Sequence, residues 1–93
     1  AIQANYMTEV LEMLKTAKDK KATFNKIRQC IADSKVKDFT PLYTFLYDNL
    51  EEFATGHIAA MILIIAEAQF KDATVVDKEI NIMAMFVNIM NEL

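Results

Sequence analysis

The sequence predicts an all-α fold, a compact bundle of about five helices. Three observations predict it. One Gly and one Pro in 93 residues leave no punctuation for the many turns of an all-β chain. Apolar residues recur at i, i+3, i+4 and i+7 through most of the length, which is one face of a helix. A hydrophobic content of 54% in 93 residues is enough to close a core without staples. Charged residues stay at an ordinary 25%, so the chain carries more apolar surface than one small core hides. Cys30 is the single cysteine, which excludes an internal disulfide framework and fits a reducing compartment.

The first helix is predicted over about Ala4 to Thr16, with Met7, Val10, Leu11 and Leu14 on one face. Ala17 to Lys20 has no apolar anchor and turns the chain. The second helix, about Ala22 to Ser34, aligns Phe24, Ile27 and Ile31 with Cys30 beside them, and Lys35-Val36-Lys37 connects it onward. Asp38 is placed to cap the third helix, and Pro41 suits a first turn because its missing N–H is not needed there. That helix runs from Phe39 to about Phe53, with Phe39, Leu42, Tyr43, Phe45, Leu46, Leu50 and Phe53 opposite Thr40, Thr44, Asp48, Glu51 and Glu52. Gly56 supplies a free positive-φ position to end it. The fourth helix, about His57 to Lys71, is apolar nearly all round and is therefore expected to be buried centrally. Asp77 is expected to cap the last, about Lys78 to Leu93.

On a wheel of about 100° per residue, Asn81, Asn88 and Glu92 form a narrow polar stripe on the last helix. Ile80, Ile82, Met83, Phe86, Val87, Ile89, Met90 and Leu93 fill well over half of the circumference. An outer helix of a monomer needs an apolar stripe of only ~100°. The excess predicts a second burial partner, and the candidate interface is Ile82, Met83, Met85, Phe86, Ile89, Met90 and Leu93, shared between core and neighbour. No repeat, low-complexity tract or linker divides residues 1–93, which are read as one domain. The first Met is Met7 and the chain opens at Ala1, the look of a piece excised from a longer protein.

Net charge is −3 and unevenly placed. Eight of the ten basic residues lie from Lys15 to Lys37, against Asp19 and Asp33; from Asp38 onward nine acids face Lys71 and Lys78. The basic stretch is a solvated face, a surface for an acidic neighbour or a contact for nucleic acid.

The catalytic classes fare poorly. A phosphate-cradling loop needs closely spaced glycines, because only backbone without Cβ wraps phosphates that tightly, so no nucleotide-binding loop lies within the chain. Zinc needs about four Cys, His or carboxylate ligands, and one Cys with one His is not the usual set. Ala54 stands three residues before His57, so the Glu-x-x-His motif of di-metal bundles is absent. Cys30 and His57 read as a small core cysteine and a helix-start histidine rather than as a thiolate–imidazole pair. The six methionines read as core filler. The longest apolar run, Ile58 to Ala66, is nine residues, far short of the ~20 that span a bilayer, and nothing reads as a signal peptide.

The last two helices resemble a known family. Ile64-Ile65-Ala66-Glu67-Ala68-Gln69-Phe70-Lys71, a short break, then Glu79-Ile80-Asn81-Ile82-Met83-Ala84-Met85-Phe86 is similar to the end of the DNA-polymerase clamp-loader small subunit. That is the replication factor C family, including the versions of tailed phages. The charged turn at Ala17 to Lys20 and the Asp38-Phe39 pair are compatible, so the five-helix order covers essentially the whole chain. Ala68 stands where cellular members have an aromatic, Val75-Val76-Asp77 where they have a Gly-Ala-Asn-like break, and Lys71 where Arg is common. These departures point to a divergent, viral type.

The resemblance implies a collar domain that holds subunits in a ring, in the cytoplasm. Its partners would be other clamp-loader subunits, in a homo- or hetero-oligomer, and no membrane. DNA, the sliding clamp, ATP and Mg would be handled by AAA+ ATPase domains elsewhere in the parent protein, and this segment would be no enzyme and carry no cofactor. The alternative is a free-standing helical protein-binding module, such as a phage inhibitor or immunity-type protein. A small DNA-binding domain would instead show affinity that falls steeply with salt.

Overall fold

A computed structural model describes residues 2–16 and 18–93, with side chains from Tyr6 onward; Ala17, which the sequence places in a turn, lies outside the described residues. The described residues form six helices and no strand: α1 (Ile2–Lys15), α2 (Lys20–Ser34), α3 (Thr40–Asp48), α4 (Leu50–Phe53), α5 (Ile58–Asp72) and α6 (Lys78–Glu92). They group into two compact units, Ala1–Val36 and Lys37–Leu93. No Gly- or Pro-rich linker marks that boundary; the charge changes there instead. The first unit has seven basic and four acidic residues, net +3, and the second three basic and nine acidic, net −6.

In the first unit α1 packs on α2. Tyr6, Val10, Leu11 and Leu14 of α1 are buried, as are Thr23, Ile27 and Ile31 of α2. Both stripes sit one residue back from the predicted ones at their N-terminal ends, since Met7 and Phe24 are only half-buried. Asp19 opens α2 by accepting the Ala22 amide at 3.1 Å, which starts the helix two residues before the expected Ala22. Lys35 closes it in the left-handed region at φ 58°, its amide donating to the Ala32 carbonyl.

In the second unit α5 is the hub, packing against α3, α4 and α6. The single third helix expected over 39–53 is two helices. At Asn49 the side-chain amide donates to the Phe45 carbonyl at 2.7 Å, while the Asn49 backbone N–H bonds to Leu46 instead. A side chain has taken the place of a rung of the helix ladder, and the helix is interrupted. The start of α3 also moves by one residue: Thr40 is the first helical residue, and Asp38 accepts its amide at 3.0 Å from one position further out. That hydrogen bond holds the Asp38 carboxyl below its usual pKa. Gly56 takes φ +87° in the turn between α4 and α5, as the sequence predicts.

Asp77 caps α6 by accepting from the amides of Glu79 at 2.9 Å and Ile80 at 3.2 Å. Two of the four orphan donors of a helix start are satisfied by one carboxylate, which also favours the positive end of the helix dipole. Asp77→Ala is expected to cost about 1–2 kcal/mol, and Asp19→Ala, which loses one such bond, about 0.5–1 kcal/mol. Urea unfolding followed by circular dichroism checks the order of the two.

Candidate functional site

Helix α6 carries the candidate interface. Ile82, Met85, Phe86, Ile89 and Met90 are all buried within the chain, while Met83 and Leu93 are half-buried. The apolar residues that α6 leaves bare are Ile80, 69% exposed, and Val87, 43% exposed, with Ala84 between them. At ~100° per residue these three point about half a turn away from Ile82 and Phe86. Asn81 departs from the predicted polar stripe: it is 8% exposed and lies on the buried side.

The reason is a set of partners distant in sequence. Asn81 Nδ2 donates to the Ala68 carbonyl at 2.9 Å and to the Tyr43 hydroxyl at 3.3 Å. The Tyr43 hydroxyl donates to Asp72 Oδ1 at 3.1 Å, and Lys78 Nζ donates to the Asp72 carbonyl. Burial first, and then the adjoining Asp72 carboxylate, push the Tyr43 hydroxyl well above the ordinary tyrosine range. α3, the end of α5 and the start of α6 are thereby tied at one point.

Helix α5 is not enclosed as its composition predicts. Its buried stripe is Met61, Ile65 and Ala68, and the opposite side is bare: Leu63 is 73% and Phe70 80% exposed, with Ala59 and Ala66 in the same line. Ala59, Leu63, Ala66 and Phe70 are spaced i, i+4, i+7, i+11, a second apolar stripe at helical period. The sequence alone holds that signal, but a helix that is apolar all round reads as buried before it reads as two-faced. Beside the stripe, two surface hollows of about 490 and 260 Å³ share Tyr47 and Ile62 and so form one groove between α3–α4 and α5.

Cys30 and His57 each have a carboxylate partner. Cys30 Sγ lies 3.2 Å from Glu9 Oε2, and His57 Nδ1 lies 3.3 Å from Glu92 Oε2. Burial, then the hydrogen bond and charge of Glu9, raise the Cys30 thiol to about 11, which opposes a thiolate nucleophile. Alkylation of Cys30 at mildly alkaline pH is therefore expected to run about tenfold slower than that of a free thiol and to accelerate as pH approaches 11. Glu9→Gln should lift the rate, as read by mass spectrometry against time.

Met61, Met85 and Met90 are buried, and Met7, Met13 and Met83 are half-buried. Core filler describes the buried three. Among the described residues no group of three His, Cys, Asp or Glu could hold a metal ion, and no helix is long and apolar enough to cross a membrane.

Fold and surface together define an all-helical protein with bare apolar faces on α5 and α6 and an acidic-edged groove. No protein-family model, curated protein or solved structure matches the chain.

Proposed function

We propose that the chain is the collar domain of a sliding-clamp-loader small subunit, a cytoplasmic oligomerisation module that joins neighbouring subunits of an ATP-driven DNA-replication machine. The observation that carries this reading is the surplus of outward apolar side chains: Leu63 and Phe70 on α5, Ile80 and Val87 on α6. Each side chain of this kind contributes roughly 1.5–3 kcal/mol when a partner fully desolvates it, and contiguous bare apolar surface marks sites of protein contact. The likeness of residues 64–71 and 79–86 to the end of the clamp-loader small subunit supplies the particular assembly. In it the chain would bind no nucleotide, and the parent's ATPase domains would hold ATP and Mg, grip DNA and open the clamp.

The open reading frame upstream tests the proposal. A Walker-type loop encoded in frame ahead of this segment is the expected result. A start codon near Met7, with no nucleotide-binding segment before it, overturns the collar reading and leaves the free-standing helical binder.

A further inference from the structure

We propose that the groove between α3–α4 and α5 seats the basic outer face of α2 from a second copy of this chain, in a head-to-tail contact. The inference rests on the collar reading, for which it names the two touching surfaces. The groove has an apolar length, formed by Tyr47, Ile62, Ile65 and Ala66, and an acidic end, formed by Asp48 and Glu51. It belongs wholly to the acidic unit, whose net charge is −6, and the proposed occupant belongs wholly to the basic unit, at +3.

The occupant follows from charge and shape. Thr23, Ile27 and Ile31 turn inward on α2. On the exposed side of α2, flanking that stripe, run Lys21, Asn25, Arg28 and Ala32, with Lys35 at the capped end, and all five are exposed. Lys21, Arg28 and Lys35 recur every seven residues, about 10.5 Å apart along the axis. None of the three takes part in an ion pair among the described residues, and neither do Asp48 and Glu51. Both surfaces thus offer unneutralised charge of opposite sign. Lys and Arg stems are apolar enough to lie along Tyr47 and Ile62 while their heads reach the carboxylates. Ala32 lets the helix approach closely. Because the two faces are different parts of one chain, each copy donates one and accepts with the other, which is the geometry that propagates into a ring or a filament.

Sedimentation velocity over a concentration series, at low and high salt, tests the contact on four samples. These are the unaltered chain, Asp48→Lys with Glu51→Lys, Lys21→Glu with Arg28→Glu, and an equimolar mixture of the two double variants. All four positions are exposed, and circular dichroism verifies that each variant folds. The unaltered chain is expected to associate more weakly as salt rises. Each double variant should lose at least about tenfold in association constant, since it sets like charge against like. The mixture should regain it, because each variant supplies the face that complements the other. An unaltered chain that stays monomeric overturns the inference, as do variants that associate like the unaltered chain or a mixture that fails to recover. Association that ignores these charges would leave the collar reading in place with a different contact face. The collar reading itself falls only on the upstream frame.

Discussion

Phe86→Ala is expected to destabilise the protein by about 3–5 kcal/mol, and Phe86→Asp to leave almost no folded population. Phe86 is 0% exposed and lies on the buried face of α6, four residues from Ile82 and from Met90, which are also buried. Truncating it removes the transfer free energy of a ring and leaves a cavity that its neighbours fill only in part. A domain of this size has a total stability of about 5–15 kcal/mol, so the Ala variant falls close to the edge. The Asp variant adds an unpaired buried charge, among the costliest of single changes. The neighbouring position provides the control. Val87 is 43% exposed, and Val87→Asp should change stability by about 0.5 kcal/mol or less. Urea midpoints of the three variants decide it, and equal losses at positions 86 and 87 would mean that α6 is rotated from the orientation described.

Asn81→Ala is expected to cost about 2–4 kcal/mol. The variant removes both hydrogen bonds that the buried Asn81 amide donates, to the Ala68 carbonyl and to the Tyr43 hydroxyl, and each buried bond lost costs about 1–3 kcal/mol. Asn81→Leu, which restores bulk but no donor, should recover only the packing share. Tyr43→Phe tests the next link in the chain, because it removes the donor to Asp72. It also predicts a pH dependence with a definite sign. The folded-state pKa of Tyr43 is raised above an unfolded value near ~10. The stabilisation linked to that shift is therefore complete below about pH 10 and declines as pH rises from there toward the folded-state value. Thermal unfolding of the unaltered chain should fall more steeply above about pH 10 than that of Tyr43→Phe. Parallel curves would mean that the hydroxyl is not held as described.

Residues whose partners are near in sequence were legible. The α1, α2 and α6 helices follow from apolar spacing, and Asp77 caps α6 because a short acceptor just ahead of a helix meets amides two and three residues on. Residues whose partners are far away were not. Asn81 looks like surface on a wheel, since its amide is polar; that it faces inward depends on Tyr43, 38 residues earlier. Asn49 looks like one more polar residue on the outer face of a long helix. Its effect comes from a local competition between side chain and backbone that periodicity does not register. Helix α5 misled in the opposite sense. Hydropathy reports what a side chain is and not whether anything covers it, so the bare stripe of Leu63 and Phe70 and the buried stripe of Met61 and Ile65 look alike until the packing is known. For the same reason the interface that periodicity predicts falls on the core side of α6, where five of its seven residues are buried.

The tyrosines have an optical consequence. With three Tyr and no Trp, the ultraviolet emission of the protein belongs to tyrosine alone. Tyr6 and Tyr43 are buried, and the Tyr43 hydroxyl is hydrogen-bonded to a carboxylate, whereas Tyr47 stands largely in water on the wall of the groove. A small neutral quencher should therefore extinguish mainly the Tyr47 signal, and whatever settles in the groove should shield it. The chain thus carries a label-free fluorescent gauge on the wall of that groove.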